Sequence, residues 1–137
     1  MSKKIALITG ATGGIGFEVA KRLGNDGYLV VLNGIEAEKG QARVTELVAM
    51  GIEAEYVGFD VTDEEAVTRH VGSIGEKYGK IDCVINNAGG LGGRSPIEGM
   101  TTEFYRSVMA LNLDSTFFVS RAAIPFLKNA VGSSIVN

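Results

Sequence analysis

Thr9-Gly10-Ala11-Thr12-Gly13-Gly14-Ile15-Gly16 stands directly after an apolar run and directly before a helical period. These residue types suit one task. Gly10 lets the chain turn tightly as it leaves a strand. Gly14 and Gly16 have no side chain, so an anion can approach the backbone and a helix can sit close to a sheet. A helix starting near Ile15 offers unpaired N–H groups and the positive end of its dipole. Thr12 adds a hydroxyl donor. In the context of strand, turn and helix, this is a pyrophosphate cradle. The same glycines can also serve as a purely structural turn.

Three other places could do chemistry. Asp60 in Phe59-Asp60-Val61 follows a short strand and precedes a helix, so it lies at the carboxyl edge of a sheet. Its carboxylate can accept from a ligand amino group while the Val61 N–H donates; alternatively Asp60 caps its own turn. Asn86-Asn87-Ala88-Gly89 ends the next apolar run, where Asn87, Ala88 and Gly89 either line a ligand crevice or make a tight turn. Asn112 is a polar residue between Leu111 and Leu113 in an amphipathic helix, and an amide buried there must be hydrogen-bonded.

The elements that position these residues alternate regularly. Apolar runs at Ile5–Thr9, Tyr28–Leu32, Glu53–Phe59, Ile81–Asn86 and Ser134–Val136 read as strands. Ile15, Val19 and Leu23 recur at helical spacing, as do Val44, Leu47 and Val48, then Val67, Val71, Ile74 and Tyr78. Thr62-Asp63-Glu64-Glu65 reads as a capping box for the third helix. Phe104, Val108 and Leu111 mark a fourth helix, and a fifth runs from about Thr116 to Lys128. The strands are continuously apolar, as in a parallel sheet covered on both faces. The expected fold is α/β, a doubly wound parallel sheet of Rossmann type in three αβα layers, forming one domain over 1–137.

Together these motifs resemble the short-chain dehydrogenase/reductase family. Thr9-Gly10-x-x-x-Gly14-x-Gly16 matches its cofactor motif, Asp60-Val61 its adenine contact, and Asn86-Asn87-Ala88-Gly89 its most diagnostic segment. Asn112 matches its helix asparagine. Gly13 lets the turn also fit the longer epimerase-like branch; the Asn86-Asn87-Ala88-Gly89 run favours the shorter branch. The resemblance implies NAD or NADP as cofactor and hydride transfer to or from a small-molecule carbonyl or secondary alcohol, in a homo-oligomeric parent. It implies that Asn112 holds a water and a helix kink in a proton relay. Gly10, Thr12, Gly13, Gly14, Ile15, Gly16, Ile35, Asp60, Val61, Asn87, Ala88 and Gly89 would line the cofactor site.

NAD and NADP are not separated. In the family an acid at the end of the second strand favours NAD, and a basic residue there or in the glycine turn favours NADP. Here Asn33-Gly34-Ile35-Glu36 carries neither at the usual positions. Glu36 can serve the ribose or open the next helix, and Lys39 can reach a phosphate or remain solvated.

The family's chemistry also needs a serine and a Tyr-x-x-x-Lys pair. The tyrosines are Tyr28, Tyr56, Tyr78 and Tyr105; four residues on stand Leu32, Asp60, Asp82 and Met109. The chain is therefore expected to be the first part of such an enzyme, truncated after the start of the fifth strand and inactive alone. The alternative is a stand-alone dinucleotide-binding module. A net charge of −3 without a basic cluster gives no support for nucleic-acid or anionic-membrane binding. No apolar stretch reaches membrane-spanning length and no metal-ligand cluster stands out. Cys83 is single, in an apolar run, and reads as a core thiol; His70 reads as a surface residue. With no signal-peptide pattern, a cytoplasmic location is the default.

Overall fold

The structure is a computed structural model that describes residues 2–137. Five strands form one parallel sheet in the order β3-β2-β1-β4-β5, with β1 Lys4–Ile8, β2 Tyr28–Gly34, β3 Ala54–Gly58, β4 Cys83–Ile85 and β5 Ser134–Val136. After β3 the chain crosses to the other side of β1 before laying down β4. The ends of β1 and β4 therefore diverge into loops on either side of one gap.

Strand residues point alternately to the two faces of a sheet. Here each face meets a different pair of helices. Ile5, Leu7, Val31 and Val84 join Val67, Val71, Val119 and Ala123, so they pack beneath α3 (Glu64–Tyr78) and α5 (Ser115–Leu127). Ala6, Ile8, Val30, Leu32 and Cys83 join Phe17, Ala20 and Leu47 beneath α1 (Gly14–Asn25) and α2 (Ala37–Ala49). That is why β1 and β2 read as continuous apolar runs. β3 is only half-buried, and β5 is exposed. Cys83 is buried and free, as expected.

Three local expectations are corrected. The cap of α3 is Asp63, which accepts from the Ala66 N–H at 3.1 Å; Thr62 instead donates its N–H and hydroxyl to Asp60. The fourth and fifth helices are not separate. α4 (Thr102–Met109) runs through a wide π-helical turn, Ala110–Asp114, directly into α5. His70 is half-buried rather than solvated, and its ring stacks on Phe59 at 5.4 Å and 9°.

Helices α3 and α5 touch closely because α3 carries glycine at the contact. A Cβ at Gly75 would lie 2.2 Å from Cδ2 of the Phe126 ring, whereas one at Gly72 of the same helix would meet nothing within 4 Å. Alanine is the better helix former by about 1 kcal/mol, but overpacking costs roughly 1–3 kcal/mol. Gly75→Ala is therefore expected to lower stability by up to about 2 kcal/mol, and Gly72→Ala to raise it by about 0.5–1 kcal/mol. Urea unfolding of the two variants checks this; equal shifts would show that the α3–α5 contact is not close.

Candidate cofactor site

The glycine turn is built from three demands. Gly10 has φ +58°, and a Cβ there would lie 3.0 Å from the Ala88 Cα. Gly16 is a packing position: a Cβ there would lie 2.5 Å from both Asn87 Nδ2 and the Gly10 carbonyl oxygen. Gly14 has φ +57°, yet its missing Cβ would meet nothing within 4 Å. The turn thus leaves open space in front of α1. Gly13, the residue before that helix, makes no side-chain cap, whereas Asp63 and Thr101 cap α3 and α4. The first N–H groups of a helix have no partner within it. Uncapped and facing open space, those of α1 suit an anion. Ile15 flanks them, 76% exposed.

The turn is held by β4. The buried Thr9 hydroxyl accepts from the Asn87 and Ala88 N–H groups at 3.1 and 3.0 Å and donates to the Ile85 carbonyl at 3.5 Å. Asn87 Nδ2 donates back to the Thr9 and Gly10 carbonyls at 3.2 and 3.0 Å. Its amide is thereby a strap between the two strand ends. Asn33, which the motifs did not single out, does the same on the other side. Its Oδ1 accepts from the Gly10 N–H at 3.3 Å, and its Nδ2 donates to the Phe59 carbonyl at 2.9 Å. The available signal was a polar residue ending an apolar strand, since a buried amide needs partners.

These straps bring the motifs to one place. A crevice of about 450 Å³ opens at the carboxyl ends of the strands, lined by Gly10, Thr12, Gly34, Ile35, Asp60, Val61, Asn87, Ala88 and Gly89 among others. Gly13, Gly14 and Ile15 do not line it; they line a separate depression with Phe17, Arg43 and Glu46. Asp60 is exposed on the crevice wall, and one carboxylate oxygen accepts from the Thr62 N–H and hydroxyl at 2.9 and 2.8 Å. It thus caps its own turn and keeps its other oxygen available. Val61 is buried, and Ile35 is 78% exposed. Burial, and then the Glu36 charge, push the Tyr56 hydroxyl above its ordinary range; that hydroxyl is buried beneath the β2 end without a hydrogen-bond partner.

Asn112 corrects the expectation of a buried amide: it is exposed. It is nevertheless fully engaged. Its Nδ2 donates to the Gly90 and Val108 carbonyls at 2.6 and 2.8 Å, and its Oδ1 accepts from the Gly90 N–H at 3.0 Å. At this place the helix widens into the π-helical turn, with Asn112 at its centre. Gly89 is required by the same contact, because a Cβ there would lie 2.8 Å from Asn112 Oδ1. Among the described residues no cluster of potential metal ligands is found, and no helix is long and apolar enough to cross a membrane.

The arrangement matches known proteins. The sequence pattern of the short chain dehydrogenases fits residues 4–137. An uncharacterized oxidoreductase, YxjF, of Bacillus subtilis is 32% identical over the whole chain, which covers 53% of that protein. A 3beta-hydroxysteroid dehydrogenase of Mediterraneibacter gnavus is 38% identical over 98% of the chain and 49% of its own length. A metagenomic short-chain oxidoreductase solved in complex with NADP superposes with a TM-score of 0.89 at 33% identity, over 96% of this chain and 60% of that one. The chain spans about half the length of the curated relatives it matches. With the glycine turn, the Asp60 corner and the Asn87 strap meeting at one crevice of a parallel sheet, the chain belongs to the short-chain dehydrogenase family.

Proposed function

We propose that this chain is the cofactor-binding part of an NAD- or NADP-dependent oxidoreductase acting on a carbonyl or secondary alcohol. One observation carries the reading: Gly10 and Thr12 of the glycine turn, which leads into the uncapped start of α1, line one crevice together with the Asp60 corner and Asn87. When bound, the cofactor would supply or accept the hydride. The chain's own residues would bind and orient it. The turn from Gly10 to Gly16 would hold the pyrophosphate, and Asp60 with the Val61 N–H would hold the adenine. Asn87, Ala88 and Gly89 would line the wall toward the nicotinamide side. Asn112 would act as a positioning residue, because both ends of its amide hold Gly90. Its main-chain carbonyl, which receives the Thr116 hydroxyl at 3.4 Å, would be the acceptor offered to a water.

The proton donor and carbonyl-polarising groups are proposed to lie outside residues 1–137, since no tyrosine here has a lysine four residues on. Proton transfer by a positioned side chain contributes about 10²–10⁴-fold. Residues 1–137 alone are therefore expected to show no turnover of a diketone panel with NADH or NADPH, beside an active full-length protein. Comparable turnover by the fragment would overturn this division of labour.

Two binding predictions test the crevice in the full-length protein that carries this chain. Gly14→Asp places a carboxylate in the open space before α1, and is expected to weaken NADH and NADPH alike by at least about tenfold. Fluorescence titration reads this, with a thermal melt to verify folding; unchanged affinity would sink the pyrophosphate assignment. Asp60→Ala is expected to weaken the dinucleotide by roughly 1.5–3 kcal/mol, the value of a charge-assisted bond, and to leave nicotinamide mononucleotide unaffected. Equal losses for both ligands would reduce Asp60 to a turn cap.

A further inference from the structure

A second hollow flanks the crevice. Gly89 and Leu111 line the crevice; two residues away along each segment, Leu91 and Met109 line a hollow of about 600 Å³. Between the two stands the Asn112 amide, which holds both the N–H and the carbonyl of Gly90. Crevice and hollow thus lie on either side of one clamp.

The hollow is enclosed by the loop after β4 and one face of α4. Leu91, Met100, Phe104, Val108 and Met109 make it apolar. Its shape is fixed at both ends. Asn112 ties Gly90 to the Val108 carbonyl at one end. At the other, the Thr101 hydroxyl caps α4 by accepting from the Phe104 N–H at 3.0 Å. The loop between needs glycine: Gly92 has φ +66° and Gly93 φ +144°, and a Cβ at Gly93 would already touch the Phe104 ring at 3.5 Å. A preformed apolar hollow of this size, with a few polar groups, has the form of a small-molecule site.

A single charged side chain lines it. That is Arg94; Glu98, Glu103 and Arg106, close in sequence, do not. The side-chain polar groups beside it are the hydroxyls of Ser95 and Tyr105. Among the described residues Arg94 enters no ion pair, whereas Arg43 and Arg121 are engaged by Glu46 and Glu64. A guanidinium takes a carboxylate through two parallel hydrogen bonds, and no carboxylate of the hollow competes for this one.

We propose that Arg94 and this hollow select the substrate: a carbonyl compound, or the matching secondary alcohol, whose apolar chain ends in a carboxylate. This rests on the oxidoreductase reading above. The chain would lie on Phe104, Val108 and Met109, the carboxylate on Arg94, and the carbonyl on the crevice side of the Asn112 clamp. There the carbonyl carbon would receive a hydride from NADH or NADPH and its oxygen a proton, giving the hydroxy acid. Arg94 is exposed, so its pairing weakens with salt.

Steady-state kinetics of the full-length protein test this with 9-oxodecanoate, its primary amide, and the shorter 4-oxopentanoate. At low salt, kcat/KM for 9-oxodecanoate is expected to exceed that for its amide about tenfold, mainly through KM. It should exceed that for 4-oxopentanoate by at least about tenfold, since the longer chain buries more methylenes. Arg94→Gln should bring the acid-to-amide ratio near one, and Arg94→Lys should keep part of it; a thermal melt and a cofactor titration verify folding. Equal values for acid and amide, or a ratio that survives Arg94→Gln, overturn the role of Arg94. No gain with chain length overturns the hollow as the seat of the chain. A folded, cofactor-binding protein that reduces the diketone panel but neither oxo acid overturns the substrate class and leaves the oxidoreductase reading intact. Failure on every ketone overturns that reading, and this proposal with it.

Discussion

Two parallel strands that separate into different loops leave their last backbone groups without a ladder, and those groups must find partners. At the β1–β4 boundary a single hydroxyl solves the problem. Thr9 is 2% exposed, and its oxygen takes the two N–H groups that β4 no longer pairs. Asn87 returns the favour to the carbonyls of Thr9 and Gly10. Everything at the site hangs from this knot. Gly10 must be glycine because Ala88 is drawn so near, and Gly16 because the Asn87 amide lies between α1 and the turn. The open space before α1 exists because the turn is held back by bonds behind it.

The fold was legible because its two cores demand it. A strand covered on both faces cannot alternate apolar and polar residues, so β1 and β2 announce themselves as unbroken runs. The glycine turn was legible for the same kind of reason, since few residues tolerate φ near +57° or a backbone approach of 3.0 Å. What escaped was reciprocal bonding. Asn33 looks like a strand-ending polar residue, and only the distances show its amide joining three segments. The cap of α3 fell on Asp63 because Asp60 had already engaged Thr62. Spacing alone ranks both candidates equally. The exposure of Asn112 was invisible too, because flanking leucines suggest burial while a widened turn carries the amide outward.

The same contrast separates the two sides of the crevice. Its floor is made of backbone and short amides whose partners are all internal. Its rim is made of groups the fold does not use: the exposed Ile35 side chain and one oxygen of Asp60. Substitution on the floor disturbs the sheet ends, whereas substitution on the rim changes only what the crevice accepts. A scaffold divided in this way can alter its ligand preference at little cost in stability.

The wide turn at Ala110–Asp114 has its own implication. A residue advances an α-helix by about 100° and 1.5 Å. A turn holding one residue more than usual therefore acts as a phase shifter. It lets α4 present Phe104 and Val108 to the loop after β4 while α5 presents Val119 and Ala123 to the sheet, on what is otherwise one continuous rod. Loss of a single residue within 110–114 would not shorten a loop harmlessly. It would let the wide turn close into an ordinary α-helical one, leaving α5 in phase but removing the bulge that sets Asn112 against Gly90. The length of this stretch is thus under tighter constraint than the identity of most residues in it.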